Sequence, residues 1–453
     1  MTDRYPHHRP AFHISPTRGY LNDPNGPVEL NGELHLYYQS RSLANMDVPV
    51  EWGHATTPDL VNWTIHRPAM GPISGGLDSD GCFSGNTVMD GERVRAFYSG
   101  YVEDRPLQHT LTALSDPQGT SFSAPVLVIE DPDPAEDVWM LRDPFVWHDN
   151  DGWHLVTGAG TRDAVAAIRE YRSDDAKTWR FTGNLAELKR TVVDEVDTGE
   201  GWECPQIIHL DGREVALVCA WSRAEGPVGG VVAFPIGTTT PHPVRVDYGH
   251  SFYAPSVLRE SSHGPLLFGW IMEGRAKEWW QEEGWSGAIS LPRHAWLACD
   301  ERGVEYLCSE PHSAVAELRI GQARPANNEA LPAQAELVIP AVNGRVRLVF
   351  GDDEWVDIDM DIDQNTVSVD TRHASKESRA HGRRVSAPRA FDSQSERPGV
   401  RVLIDGSVLE VFTSGGRSLT ERAYPLSGSG WSVSAPTGTL LWELRGTVTP
   451  SGI

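Results

Sequence analysis

One spacing constrains this chain more than any other: a turn glycine followed by an alternating apolar strand returns about every sixty residues. The segments are "NGELHLYYQ", "DGERVRAFYSG", "DGWHLVTGAG", "DGREVALVCAW" and "HGPLLFGW". Their glycines, Gly32, Gly91, Gly152, Gly212 and Gly264, lie 59, 61, 60 and 52 residues apart. A second feature keeps the same period. "TTPDLVNW", "LSDPQGTSF" and "RSDDAKTW" close on Trp63, Phe122 and Trp179, which are 59 and 57 residues apart. Two independent features with one period mark a structural repeat, and Trp63 and Trp179, recurring with it, read as core. Each period holds roughly four short strands, with helical periodicity only around "NLAELKR". Repeating four-stranded units arranged radially make a β-propeller, here with five blades over residues 1–311. A run of unrelated hairpins in a sandwich is the competing arrangement.

The repeat stops after Pro311. Residues 312–328 read as a linker, and residues 329–453 as strands of a different kind, among them "AELVIPAV", "GRVRLVFG" and "VRVLIDGSVLEVFTSG". In "VDIDMDID", Val356, Ile358, Met360 and Ile362 alternate with aspartates, the pattern of a half-buried strand. The polar, basic "TRHASKESRAHGRR" reads as a long exposed loop. The expected fold is therefore all-β, a five-bladed β-propeller followed by a C-terminal β-sandwich.

A length of 453 residues supports two domains. With 39 basic and 63 acidic residues the formal charge is −24, which disfavours nucleic acid or an anionic membrane as a partner. The first residues contain no apolar run suited to a signal peptide, and no stretch reaches transmembrane length. Cys82, Cys204, Cys219, Cys299 and Cys308 form no CxxC pair, so buried, reduced thiols in a cytoplasmic protein are expected. His7, His8, His13 and His54 lack metal-ligand spacing, and neither metal nor cofactor is expected. Homo-oligomerisation is left open.

Three acids stand in register with the turn glycines. Asp23, Asp143 and Glu203 each precede their own glycine by nine residues, in "NDPNG", "RDPF" and "ECPQ". This spacing predicts equivalent positions on blades one, three and four, facing one another across the central channel. Clustered carboxylates repel, so function must hold them there. Calcium ligation is the rival reading, weakened by Arg142 beside Asp143. Glycoside hydrolysis needs such a set: one carboxylate ionised to attack, another protonated to release the leaving oxygen. Arg142 would hold one acid ionised or clamp sugar hydroxyls. The partner is then a small carbohydrate.

"YLNDPNG", "DGCFSG", "LRDPF" and "WECPQ", in this order, closely resemble the motifs of glycoside hydrolase family 32, the invertases, levanases and inulinases. "EWGHATTPDLVNW", "GWSGAISLPR" and "DGSVLEVF" extend the similarity over essentially the whole chain. The resemblance implies a five-bladed propeller with a β-sandwich. It also implies a retaining mechanism in which Asp23 is the nucleophile of a fructosyl-enzyme intermediate, Glu203 the acid/base and Asp143 the transition-state stabiliser. The carboxyls of Asp23 and Glu203 would then stand about 5–5.5 Å apart. Asn22, Gln39, Phe83, Ser84 and Arg142 match the family's fructose-binding positions, and Trp52 and Trp270 would wall the same pocket. Cys204 fits packing beside the acid better than a nucleophile's role. The chain departs from the family at Tyr20 and Leu21, at "SRSLANMDVPV" and at Ser251, all expected near the leaving-group rim. The implied activity is a β-fructofuranosidase releasing terminal fructose from sucrose, short fructo-oligosaccharides or fructans. A fructosyltransferase, a levan- or inulin-splitting enzyme and a non-catalytic fructan-binding protein are the alternatives. An inverting arabinan- or xylan-cleaving relative is disfavoured by the "NDPNG" and "EC" contexts.

Overall fold

Apolar–polar alternation on either side of the first four turn glycines builds two-residue hairpins, a longer loop over residues 259–265 joins the fifth pair of strands, and successive hairpins build meandering antiparallel sheets. The structure, a computed structural model, describes residues 4–43, 47–238, 241–351 and 353–450. The first sheet contains Gly19–Leu30, Glu33–Arg41, Glu51–Thr57 and Trp63–Ile65, and the second contains Gly81–Asp90, Arg93–Tyr101, His109–Leu114 and Val126–Ile129. The third runs through Val138–Asp149, Gly152–Thr161, Val165–Ser173 and Arg180–Lys189. The fourth holds Gly201–Leu210, Arg213–Ser222, Gly226–Pro235 and Val244–Arg245, and the fifth Phe252–Leu258, Leu266–Ile271, Arg293–Cys299 and Glu305–Pro311. The first strand of each sheet touches the first strand of the next, and Phe252–Leu258 returns to touch Gly19–Leu30. These inner strands thus follow one another round a closed circuit.

Polar side chains staple neighbouring inner strands. Asn86 of the second sheet donates to the Val146 carbonyl at 2.8 Å and accepts from the Val146 N–H at 2.9 Å. Thr87 reaches the Gly26 carbonyl at 2.6 Å, and Gln206 accepts from the Val257 N–H at 3.0 Å. Trp285–Ser286, an excursion from the fifth sheet, pairs in parallel with Gly19–Tyr20 and latches the circuit.

Two six-stranded sheets follow, with a shared core of Leu337, Val346, Ile358, Val402 and Val411 among others. Val356, Ile358 and Met360 point inward as the alternation requires, while Asp357 and Asp359 pair with Arg347 and Arg345 across the strand. Four expectations need correction. The presumed linker 312–328 carries a 3-10 turn, Ser313–Leu318, and an edge strand, Arg319–Pro325, paired with Leu440–Leu444. Val448–Pro450 leaves the sandwich and joins Trp63–Ile65 of the first sheet in parallel. "NLAELKR" is strand, because a bulge at Leu185 breaks the two-residue alternation and lets Leu185, Ala186 and Leu188 pack on one cluster. The basic segment after Thr371 docks on the α-helix Lys277–Glu283 and its lead-in, through Arg379 to Glu282 and the His381 N–H to the Gly274 carbonyl. Of the five free cysteines, Cys299 is exposed and the rest are buried.

The two parts meet over buried charge. Arg293 has no exposed surface and reaches Asp247 at 2.9 Å and Glu410 at 2.6 Å. Glu410 also accepts from His13 Nε2 at 2.9 Å, and His13 Nδ1 lies 2.9 Å from Asp405. Among the described residues no helix is long and apolar enough to cross a membrane.

Candidate active site

All five inner strands break register at the same height. Two residues face one across the hairpin at Asn22–Asp23, Phe83–Ser84, Asp143–Pro144, Cys204–Pro205 and Ala254–Pro255. Proline has no N–H for the ladder and is tolerated at a bulge. Here Pro144, Pro205 and Pro255 lie inside the bulges, and Pro24 follows the first one. Asp143, Cys204 and Ala254 adopt φ of 58°, 46° and 44°, a left-handed geometry that turns each side chain out of the pleat.

The equal nine-residue spacing concealed a difference of frame. Asp23 is the second residue of its bulge, Asp143 the first of its own, and Glu203 the last paired residue before one. The first sheet carries a second bulge between Asn25 and Val28, and Gly152 follows its turn where Gly32 and Gly212 lie within theirs. Each acid reaches the common space from a different step of the bulge.

Ser84 donates to Asp23 Oδ2 at 2.5 Å, Gln39 Nε2 to the same oxygen at 3.2 Å, and Asn22 Nδ2 to Oδ1 at 3.0 Å. Gln39 opposes the first bulge in the hairpin, which aims its amide at Asp23. Glu203 is held at both oxygens, by Arg142 Nη1 at 2.6 Å and by the Tyr253 hydroxyl at 2.9 Å. Asp143 Oδ2 accepts the Cys204 N–H at 2.9 Å, and its own N–H donates to Ser99 Oγ at 2.7 Å. The Cys204 thiol ties the set together, 3.5 Å from Asp143 Oδ2 and 3.8 Å from Asp23 Oδ2.

Burial drives the charges apart. It lifts Asp23 to about 6, against the Ser84 hydrogen bond and with help from the Asp143 charge. It lifts Glu203 to about 7, against the Arg142 guanidinium and with help from the Asp143 and Asp23 charges. Asp143 is also raised by burial, with Arg142 opposing. The Cys204 thiol is pushed well up, first by its hydrogen bond with Cys219 and then by burial, so it is a poor nucleophile.

Asp23, Asp143, Glu203, Asn22, Gln39, Ser84 and Arg142 are thus brought together. Phe83 is half-buried and stacks on Tyr101 with ring centroids 4.8 Å apart. Trp270 is half-buried beside Tyr253 and Tyr20, and its buried indole N–H finds no partner among the described residues. Trp52 is not a pocket wall. It has no exposed surface, and its indole donates to the Phe83 carbonyl at 3.0 Å, holding the second bulge against the first sheet. Sequence reasoning missed Tyr253 and Ser99. The signal for Tyr253 was "YAP", a residue before an X-Pro bulge, as Glu203 is in "ECP". Ser99 carries no signal beyond lying opposite Phe83–Ser84 in its hairpin. Among the described residues no group of three or more His, Cys, Asp or Glu side chains is placed to hold a metal ion.

Two family models match the chain, "Glycosyl hydrolases family 32 N-terminal domain" over residues 13–311 and "Glycosyl hydrolases family 32 C terminal" over residues 312–443. A sucrose-6-phosphate hydrolase of Zymomonas mobilis is 30% identical over 311 residues, 63% of this chain and 59% of that protein. The chain spans about three-fifths of the length of the first curated relatives it matches. A solved sucrose-6-phosphate hydrolase from Lactobacillus gasseri has a TM-score of 0.81 at 22% identity, over 98% of this chain and 94% of that one. A β-fructofuranosidase of Bombyx mori has a TM-score of 0.79 at 24% identity, over 98% and 95%. At these identities the likeness is one of fold.

Proposed function

Because the chain belongs to glycosyl hydrolase family 32, we propose that it is a retaining β-fructofuranosidase acting on terminal fructosyl linkages of sucrose, short fructo-oligosaccharides or fructans. In this reading the five sheets are the blades of one propeller, residues 1–311 form the catalytic domain, and the sandwich braces it. One observation carries the proposal: the Cys204 thiol touches both Asp23 and Asp143, while Glu203, the preceding residue, is gripped by Arg142 and Tyr253.

Asp23, largely ionised above about 6, attacks the anomeric carbon of fructose. Glu203, protonated below about 7, gives its proton to the glycosidic oxygen as that bond breaks. Water then enters, Glu203 takes its proton, and the hydroxide displaces Asp23 from the sugar. Asp143 accepts hydrogen bonds from furanose hydroxyls and faces the positive charge that develops on the ring. Asn22, Gln39, Ser84 and Arg142 fix the fructosyl unit, with Phe83 and Trp270 as apolar walls. Five unpaired cysteines suit a reducing compartment, which we take to be the cytoplasm.

Initial rates on sucrose, sucrose phosphate, kestose, inulin and levan test this reading. Free fructose should appear from at least one of them, and added methanol should trap a β-linked methyl fructoside. Transfer to a second sugar as the sole outcome would favour a fructosyltransferase. Saturable binding with no turnover on any substrate would favour a fructan-binding protein and refute the enzyme.

A further inference from the structure

Tyr253, whose hydroxyl donates to Glu203, also lines a cavity of about 140 Å³ between the fourth and fifth sheets and the sandwich. Two arginines on different elements line this cavity. Arg245 ends the outermost strand of the fourth sheet, and Arg383 ends the docked segment that leads into the sandwich strand Arg384–Pro388. Asp247, Tyr248 and His250 add further polar groups to the lining.

Neither guanidinium donates a hydrogen bond to any described residue or stands within ion-pair distance of a described carboxylate. Their neighbours differ: Arg302, Arg372, Arg384 and Arg389 each have an aspartate. Asp247 lines the cavity and Glu421 lies near it, and both are committed elsewhere. Asp247 binds Arg293 and the hydroxyl of Thr420, and Glu421 accepts the His250 N–H at 2.7 Å, within electrostatic reach of Arg383 but unpaired with it. The His250 pKa is lowered by partial burial and by the charges of Arg383 and Arg245, although the residue keeps an exposed surface. It is therefore neutral at physiological pH and adds a hydrogen-bonding edge. In a chain of charge −24, two unpaired guanidiniums in one cavity form a fork for a multiply charged oxyanion.

We propose that Arg245 and Arg383 bind a phosphate group at the edge of the candidate active site. The source of that phosphate rests on the fructosidase reading: an ester on the sugar that departs from fructose, or free inorganic phosphate. The site itself stands on its geometry alone.

The test uses the full chain and the variants Arg245→Gln, Arg383→Gln and the double variant. Inorganic phosphate is titrated by calorimetry, and kcat/KM is measured on sucrose and on sucrose phosphorylated on its glucose unit. Phosphate should bind the parent chain saturably, and each substitution should weaken it at least about tenfold. Unfolding temperatures should match, since the two side chains make no bonds to lose. If the ester is the source, the double variant loses at least about tenfold in kcat/KM on sucrose phosphate, carried by KM, with sucrose affected less than about twofold. If free phosphate is the source, the two substrates are handled alike, and phosphate alters the KM for sucrose only in the parent chain. The proposal is overturned if the parent neither binds phosphate nor prefers the phosphorylated substrate, or if the double variant keeps both properties. Phosphate binding that the substitutions abolish, without fructose release from any fructoside, would retain the site and refute the fructosidase.

Discussion

Tyr253 and Arg142 divide the two oxygens of Glu203 between them, yet burial still leaves its carboxyl near 7 while Asp23 sits near 6. Activity needs Asp23 ionised and Glu203 protonated, so kcat/KM should trace a narrow bell with limbs near those values, belonging to the coupled set as a whole. The Tyr253 hydroxyl favours the ionised form of Glu203. Tyr253→Phe should therefore move the alkaline limb to higher pH and leave the acid limb in place; a pH–rate profile of the variant checks both. The meeting of Asp23, Asp143 and Glu203 was legible because each stands nine residues before the turn glycine of its own repeat. Trp52 was misread because a tryptophan in a motif signals importance without saying which side of the wall it occupies. Tyr253 and Ser99 escaped notice because a hydrogen bond to an acid from another strand leaves no mark in local sequence.

At the scale of elements, the inner strands cannot hydrogen-bond to one another as a sheet would, and side chains such as Asn86 supply the missing partners. Asn86→Ala would leave both the N–H and the carbonyl of buried Val146 unpaired, at about 1–3 kcal/mol each. Denaturant unfolding should register a loss of about 2–6 kcal/mol, with activity falling as the second and third bulges drift apart. Gly287 is another fixed point, since an added Cβ would lie 1.8 Å from the Leu21 carbonyl, next to Asn22 and Asp23. Strand existence and the repeat were readable because period-two alternation and turn glycines are local signals. The bulges were not: one extra residue leaves the composition unchanged, and at Leu185 it imitates helical spacing.

Across the whole molecule, "GWSGAISLPR" and "DGSVLEVF", far apart in the chain, meet at the boundary between its two parts, where Arg293 contacts Glu410 and His13 bridges Glu410 to Asp405. Burial alone would lower the His13 pKa, but the two carboxylates outweigh it and the imidazole is raised above its ordinary value. A raised histidine contributes stability that is complete below its unfolded value of about 6.5 and is lost as pH rises through the folded value. Unfolding temperatures of the parent and His13→Ala should therefore differ most below pH of about 6.5 and converge at alkaline pH. The break after Pro311 was visible as a change of pattern. The return of Val448–Pro450 to the first sheet was not, because parallel pairing at such separation has no local signature.

The most direct measurement is fructoside turnover by Asp23→Asn, with its unfolding temperature taken on the same sample. Burial raises the Asp23 carboxyl from 3.8 to about 6 in the folded chain, so stability falls as pH rises through that window. A neutral isostere at pH 7.5 should unfold no lower than the parent and should lose at least about 10⁴-fold in kcat. A kcat within about tenfold of the parent would contradict the assignment of these carboxylates.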